Sequence, residues 1–148
     1  MPTPGQKIEP LSADDAERIA KQRGVIERYL GGDAANLEKY KTAVGKLGLL
    51  RALLERKIFQ PTQTYELQCM GIVLGDALVL HCGVEWRAVE DQYGRDPCVQ
   101  IPGSTVVLFP LTMISKRVEK GEAVDVFEVF NWTAAKIKEL RNVADRES

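Results

Sequence analysis

Apolar residues return at intervals of three and four along five stretches of the chain, and one stretch between them switches to alternation. Ser12 opens the first helical stretch, with Asp15 three residues on as a capping-box variant. Ala16, Ile19, Arg23, Ile26 and Leu30 share its stripe, and Gly31-Gly32 ends it. The second stretch runs from about Asn36 to Lys57 and keeps Leu37, Tyr40, Val44, Leu47, Leu50 and Leu54 in phase. Gly45 and Gly48 weaken it, so it reads either as one helix or as two pieces. The third is expected from an N-cap at Thr64 to about His81. Leu67, Gly71, Leu74 and Leu78 form one face while Ile72, Val73 and Leu80 cover much of the other, the mark of a buried central helix. Gly71 and Gly75, four apart, leave room there for another backbone to approach.

A small sheet follows. Val84 to Asp91 alternates, with Val84, Trp86 and Ala88 on one side, and Gln92-Tyr93-Gly94-Arg95 turns the chain. Cys98 to Ile101 reads as a short strand confined between Pro97 and Pro102. Thr105 to Phe109, a β-branched and aromatic run, is expected to be the best-buried strand. Two helices finish the chain. One spans Leu111 to Lys120, with Ile114 and Val118 inward and Gly121 as its stop. The last is capped at Asp125 and carries Val126, Val129, Phe130, Thr133, Ile137 and Leu140 inward. The expected organisation is a flexible N-terminal arm over residues 1–10, one α+β domain over 11–143 and a frayed tail over 144–148. Within the domain, about five helices pack on a three-stranded antiparallel sheet, with the third and last helices over its apolar face.

Composition narrows the partners. The net charge of -1 lacks the basic excess that draws phosphates, so nucleic acid is not expected. The longest apolar run, Met70 to Cys82, is interrupted by Asp76 and too short to span a bilayer, so no membrane partner is expected. Cys69, Cys82 and Cys98 are odd in number and sit in apolar stretches, which fits reduced thiols and a cytoplasmic location.

Candidate chemistry centres on the hairpin. Trp86, Arg87, Asp91, Arg95 and Asp96 form a candidate ligand or functional surface, with Glu85 and Glu90 nearby. Clustered carboxylates can hold a hard cation or move protons. The stronger reading of the same residues is a turn and an ion pair: Asp91 to accept amides, Gly94 to supply the geometry, Arg95 to pair with a neighbouring acid. His81 is the lone histidine and adjoins Cys82, but adjacent side chains diverge and no activating motif surrounds them. Metal-ligand spacings are lacking, and no catalytic residue, metal or cofactor is assigned. Asp76, the one charge in its apolar run, is expected to reach the rim or to pair with an arginine or lysine more than to line a pocket. Phe127 and Trp132 fall off the last helix's stripe and form a candidate interface.

Leu67-Gln68-Cys69-Met70-Gly71, Leu74-Gly75, Glu85-Trp86, Glu90-Asp91, Tyr93-Gly94-Arg95-Asp96-Pro97 and the stretch Leu108 to Glu119 resemble a bacterial family known as domain of unknown function 3806. The resemblance covers about residues 65–130 and implies a shared fold and a bacterial source, with no catalytic residues to carry over. The favoured expectation is a non-enzymatic protein-interaction module of adaptor or immunity type, with a protein partner or a second copy. The alternative is a small-ligand or cation-binding protein, or a weak hydrolase, using the acidic hairpin Glu85–Asp96.

Overall fold

The side chain of Ser12 accepts from the Asp15 amide while the Asp15 carboxylate accepts from the Ser12 amide, so the first helix starts where its capping box says it should. In the computed structural model, which describes residues 6–147 and side chains through residue 143, this helix is α1, Ala13–Glu27, extended by a single tight turn over Arg28–Leu30. Residues 1–5 of the expected arm and the side chains of the expected tail lie outside what is described. Ile19 and Ile26 of the stripe are buried, whereas Ala16 is exposed.

The second helical stretch is two helices, α2 (Ala34–Tyr40) and α3 (Ala43–Glu55). The break falls at Thr42 rather than at a glycine, because Thr42 caps α3 through its hydroxyl and the Gly45 amide. Gly45 matters for a different reason: a Cβ there would lie 1.7 Å from the Lys39 carbonyl oxygen, so only glycine lets α3 fold back on the end of α2. α4 spans Thr64–Cys82 and is buried nearly all round, packing on α1, α3, α5 (Leu111–Glu119) and α6 (Val126–Glu147). Its cap residue is Gln63, not Thr64, whose hydroxyl instead donates to Glu119 of α5 at 3.0 Å. α6 packs chiefly on α4 and α3, and α4 meets the sheet where Gly75 and Asp76 lie against Trp86.

The described residues form a four-stranded antiparallel sheet in the order β1-β2-β3-β4: Lys7–Glu9, Glu85–Asp91, Gly94–Gln100 and Val107–Leu108. The class is α+β as the pattern implies, with one strand and one helix more. Three corrections have physical causes. Lys7–Glu9, read as part of a mobile arm, is a strand paired to β2. β3 runs straight through Pro97 instead of starting at Cys98. Counted from the two-residue turn that joins Asp91 to Gly94, Ala88↔Pro97 is a non-hydrogen-bonded pair, so the missing N–H faces away from β2. β4 does not reach that far, pairing only Val99 and Gln100, so the proline breaks no ladder bond. Finally, Thr105–Phe109 is not the best-buried strand: only Val107–Leu108 pairs, both half-buried, and Phe109 is exposed.

Gly71 and Gly75 do admit close neighbours. A Cβ at Gly71 would meet the Leu111 Cα at 2.5 Å, and one at Gly75 would meet the Trp86 ring at 2.4 Å. Gly75→Ala is therefore expected to lower stability by about 2 kcal/mol through overpacking. Gly24→Ala, in open space on α1, is expected to be neutral or to add about 0.5 kcal/mol. Urea unfolding midpoints of the two variants measure the contrast.

Candidate functional site

The hairpin turn brings the five candidate residues onto one element but not into one site. Trp86 lies across Gly75 and its indole N–H donates to Asp76 Oδ1 at 3.0 Å. Asp76 in turn receives both Nε and Nη2 of Arg23, at 2.6 and 2.8 Å. The one charge in the apolar helix has thus found an arginine, 53 residues away on α1. Its side chain keeps 12% of its surface accessible and that of Arg23 keeps 30%, so water screens this pair only in part.

Arg95 is the second hub. Nε and Nη2 bond both oxygens of Asp15 at 2.7 to 3.0 Å, Nη1 bonds Glu9 at 2.8 Å, and Glu90 stands at 3.7 Å. Asp15 therefore serves two elements at once, capping α1 and anchoring the hairpin. Hydrogen bonding from Arg95 holds its carboxyl well below the usual carboxylate range, the Ser12 contacts add to this, and burial opposes them. The same bonds, from Asp15 and then Glu9, push the Arg95 guanidinium upward.

The remaining candidates are engaged locally or stand in solvent. Asp91 accepts the Tyr93 amide at 2.8 Å, which pins the turn. Arg87 bonds Glu85 and the Trp86 carbonyl. Asp96 is exposed on β3, opposite Val89 in register. A recess of about 520 Å³ surrounds the tip, lined by Lys7, Arg95 and the turn residues, and Tyr93 stands out from it at 88% exposure. An apolar groove lies elsewhere, about 560 Å³ between the end of α3 and the α5–α6 loop, with Leu53, Leu54, Phe59, Leu67 and Met70 along it. Among the described residues no group of three or more His, Cys, Asp or Glu side chains is placed to hold a metal ion.

The two candidate interface aromatics part company. Phe127 is half-buried against the core with the Arg51 guanidinium 4.8 Å from its ring centre, so it is no free surface aromatic. Trp132 is 64% exposed. The cysteines are free, and burial pushes the Cys69 and Cys98 thiols up to about 11, which suppresses the thiolate. His81 is exposed, its ring 5.3 Å from that of Phe130.

Sequence reading did not find a further polar group at the α1–α2–α3 junction. The Tyr40 hydroxyl is buried and makes no hydrogen bond of normal geometry, while burial and then the nearby Glu27 carboxylate raise its pKa. Lys46 sits 3.7 Å above the Tyr40 ring and donates to its backbone carbonyl. Tyr40 falls in phase with apolar neighbours on its helix, so its polar end gave no signal.

Such a chain is an α+β domain whose charged side chains join its elements in pairs. The family profile described as Domain of unknown function (DUF3806) matches residues 46–130, and the chain belongs to that family. A crystal structure from Bacteroides thetaiotaomicron VPI-5482, at 1.50 Å resolution, shares the fold with a TM-score of 0.68 at 15% identity. The match covers 85% of this chain and 46% of that one, so this chain corresponds to less than half of that protein's length. No curated protein matches the sequence.

Asp76→Asn is expected to cost about 3 kcal/mol, the low end for breaking a buried pair, because Arg23 keeps partial access to water. Trp86→Phe, which keeps a ring over Gly75 and loses only the N–H, is expected to cost about 1.5 kcal/mol. Both are read by urea unfolding. Asp15 gives a pH dependence. Its folded pKa lies below the unfolded value of about 4, so its stabilisation is complete above that pH and is lost as pH falls toward the folded value. The midpoint gap between wild type and Asp15→Asn should be steady from neutral pH to about pH 5 and then close on further acidification.

Proposed function

We propose that the chain is a non-enzymatic protein-interaction module of adaptor or immunity type, acting in a bacterial cytoplasm on a protein partner or a second copy. Trp132 carries this reading. A tryptophan 64% exposed on a helix whose opposite face builds the core leaves a large apolar ring in water, and tryptophan is enriched among the residues that anchor interfaces. The hairpin supports it from the other side, since Asp91, Arg87 and Arg95 already have partners within the fold. The Bacteroides neighbour and the free buried thiols support the bacterial and cytoplasmic parts of the reading.

The small-ligand or cation reading draws on the recess at the hairpin tip. It has less behind it, because Asp91 spends an oxygen on the turn and Arg95 contributes positive charge to the same recess.

Light scattering on the pure protein, with pull-down from a bacterial lysate, tests the proposal through Trp132→Ala. Either a mass above the monomer or a specific captured protein is expected from the wild type and lost in the variant, with the urea midpoint unchanged within about 0.5 kcal/mol. A wild type that stays monomeric and captures nothing would overturn the proposal, and so would capture that Trp132→Ala leaves intact.

A further inference from the structure

Arg95 divides its hydrogen bonds between two carboxylates of unequal shelter, with a longer bond from Nη2 to the Pro10 carbonyl at 3.5 Å. Asp15 holds Nε and Nη2 with a side chain only 7% accessible, while Glu9 holds Nη1 alone with a side chain 40% accessible. Glu90 stands 3.7 Å from the same Nη1. If Glu9 withdraws, Arg95 therefore keeps Asp15 and has Glu90 within reach, so no cation is stranded. Neither does α1 lose its start, because the Ser12–Asp15 capping box uses no atom of β1.

We propose that Lys7–Glu9 is a releasable strap over the backbone edge of β2, held shut by the Glu9–Arg95 ion pair. Its ladder has only three register pairs, Lys7↔Glu90, Ile8↔Val89 and Glu9↔Ala88. A strand so short has little stability apart from its side-chain contacts. Pro10 and Leu11 separate it from the cap at Ser12, so the strap hinges outside the helix while the Pro10 carbonyl stays tethered to Arg95 Nη2. Release uncovers the N–H and C=O groups of Ala88 and Glu90, which face β1, together with the Val89 side chain, now 3% exposed and lying beside Ile8 in the register. The strap is thus a cover that opens below the threshold of global unfolding, and it acts independently of Trp132.

Hydrogen exchange on the full chain, comparing wild type with Glu9→Ala and the shape-preserving Glu9→Gln, tests this. Exchange in residues 6–10 is expected to quicken at least tenfold in both variants. Residues 13–27 and 94–100 should keep their rates, and the urea midpoint should hold. Unchanged exchange in residues 6–10 in both variants would overturn the proposal. So would acceleration that spreads through α1 and β3 with a lowered midpoint, since β1 would then be an integral part of the domain.

Discussion

The contact on which the other elements depend is the one between Trp86, Gly75 and the Asp76–Arg23 pair. An indole ring lies where a Cβ would otherwise be, and its N–H meets a carboxylate that an arginine from a third element neutralises. Three elements are set by it at once: β2 against its neighbour α4 by the ring, and α1, whose Arg23 lies 53 residues upstream of Asp76, against α4 by the guanidinium. Each part needs the others. Glycine alone would leave a hole, and Asp76 alone would be a charge in an apolar helix, costly to hold away from water. Together they fix the position of the sheet relative to the helical layer.

Arg95 does the same work at the opposite end of the hairpin, with different physics. Its partner Asp15 is already committed to a helix cap, so one carboxylate answers both a local demand and a contact 80 residues away. Coupling a local signal to a distant one in this way makes a fold consistent across levels.

What the sequence shows follows the range of the forces involved. The Ser12 capping box, the apolar run of α4, the spacing of Gly71 and Gly75 and the turn at Asp91 are each made by residues close together in the chain, and the pattern displays them, though not the Leu111 and Trp86 that approach the two glycines. Three residues between Gln6 and Pro10 have no period to display, so β1 is visible only once β2 is in place beside it. Pro97 argues against a strand until the register shows which way its missing N–H points. Thr105–Phe109 has strong β character, but burial depends on what lies across from it, and β3 offers only two partners. The same limit applies to the candidate site. Asp76 was conspicuous, and an arginine or lysine was the natural partner, yet nothing local distinguishes Arg23 from the other cations. The hairpin residues looked like a cluster because they are close in sequence; in space they face three separate sets of neighbours.

The boundaries of the family match gain a meaning from these pairs. Residues 46–130 contain Asp76 and Arg95, while Arg23, Asp15 and Glu9 all precede them. The segment by which the family is recognised thus carries an anion and a cation whose main counter-ions come from outside it. What recurs in sequence is smaller than what closes electrostatically. Within the segment Glu90 stands 3.7 Å from Arg95, but the bidentate acid for Arg95 and the cation for Asp76 come from the leading stretch. Variation upstream of the match is then constrained at a few charges rather than along its length.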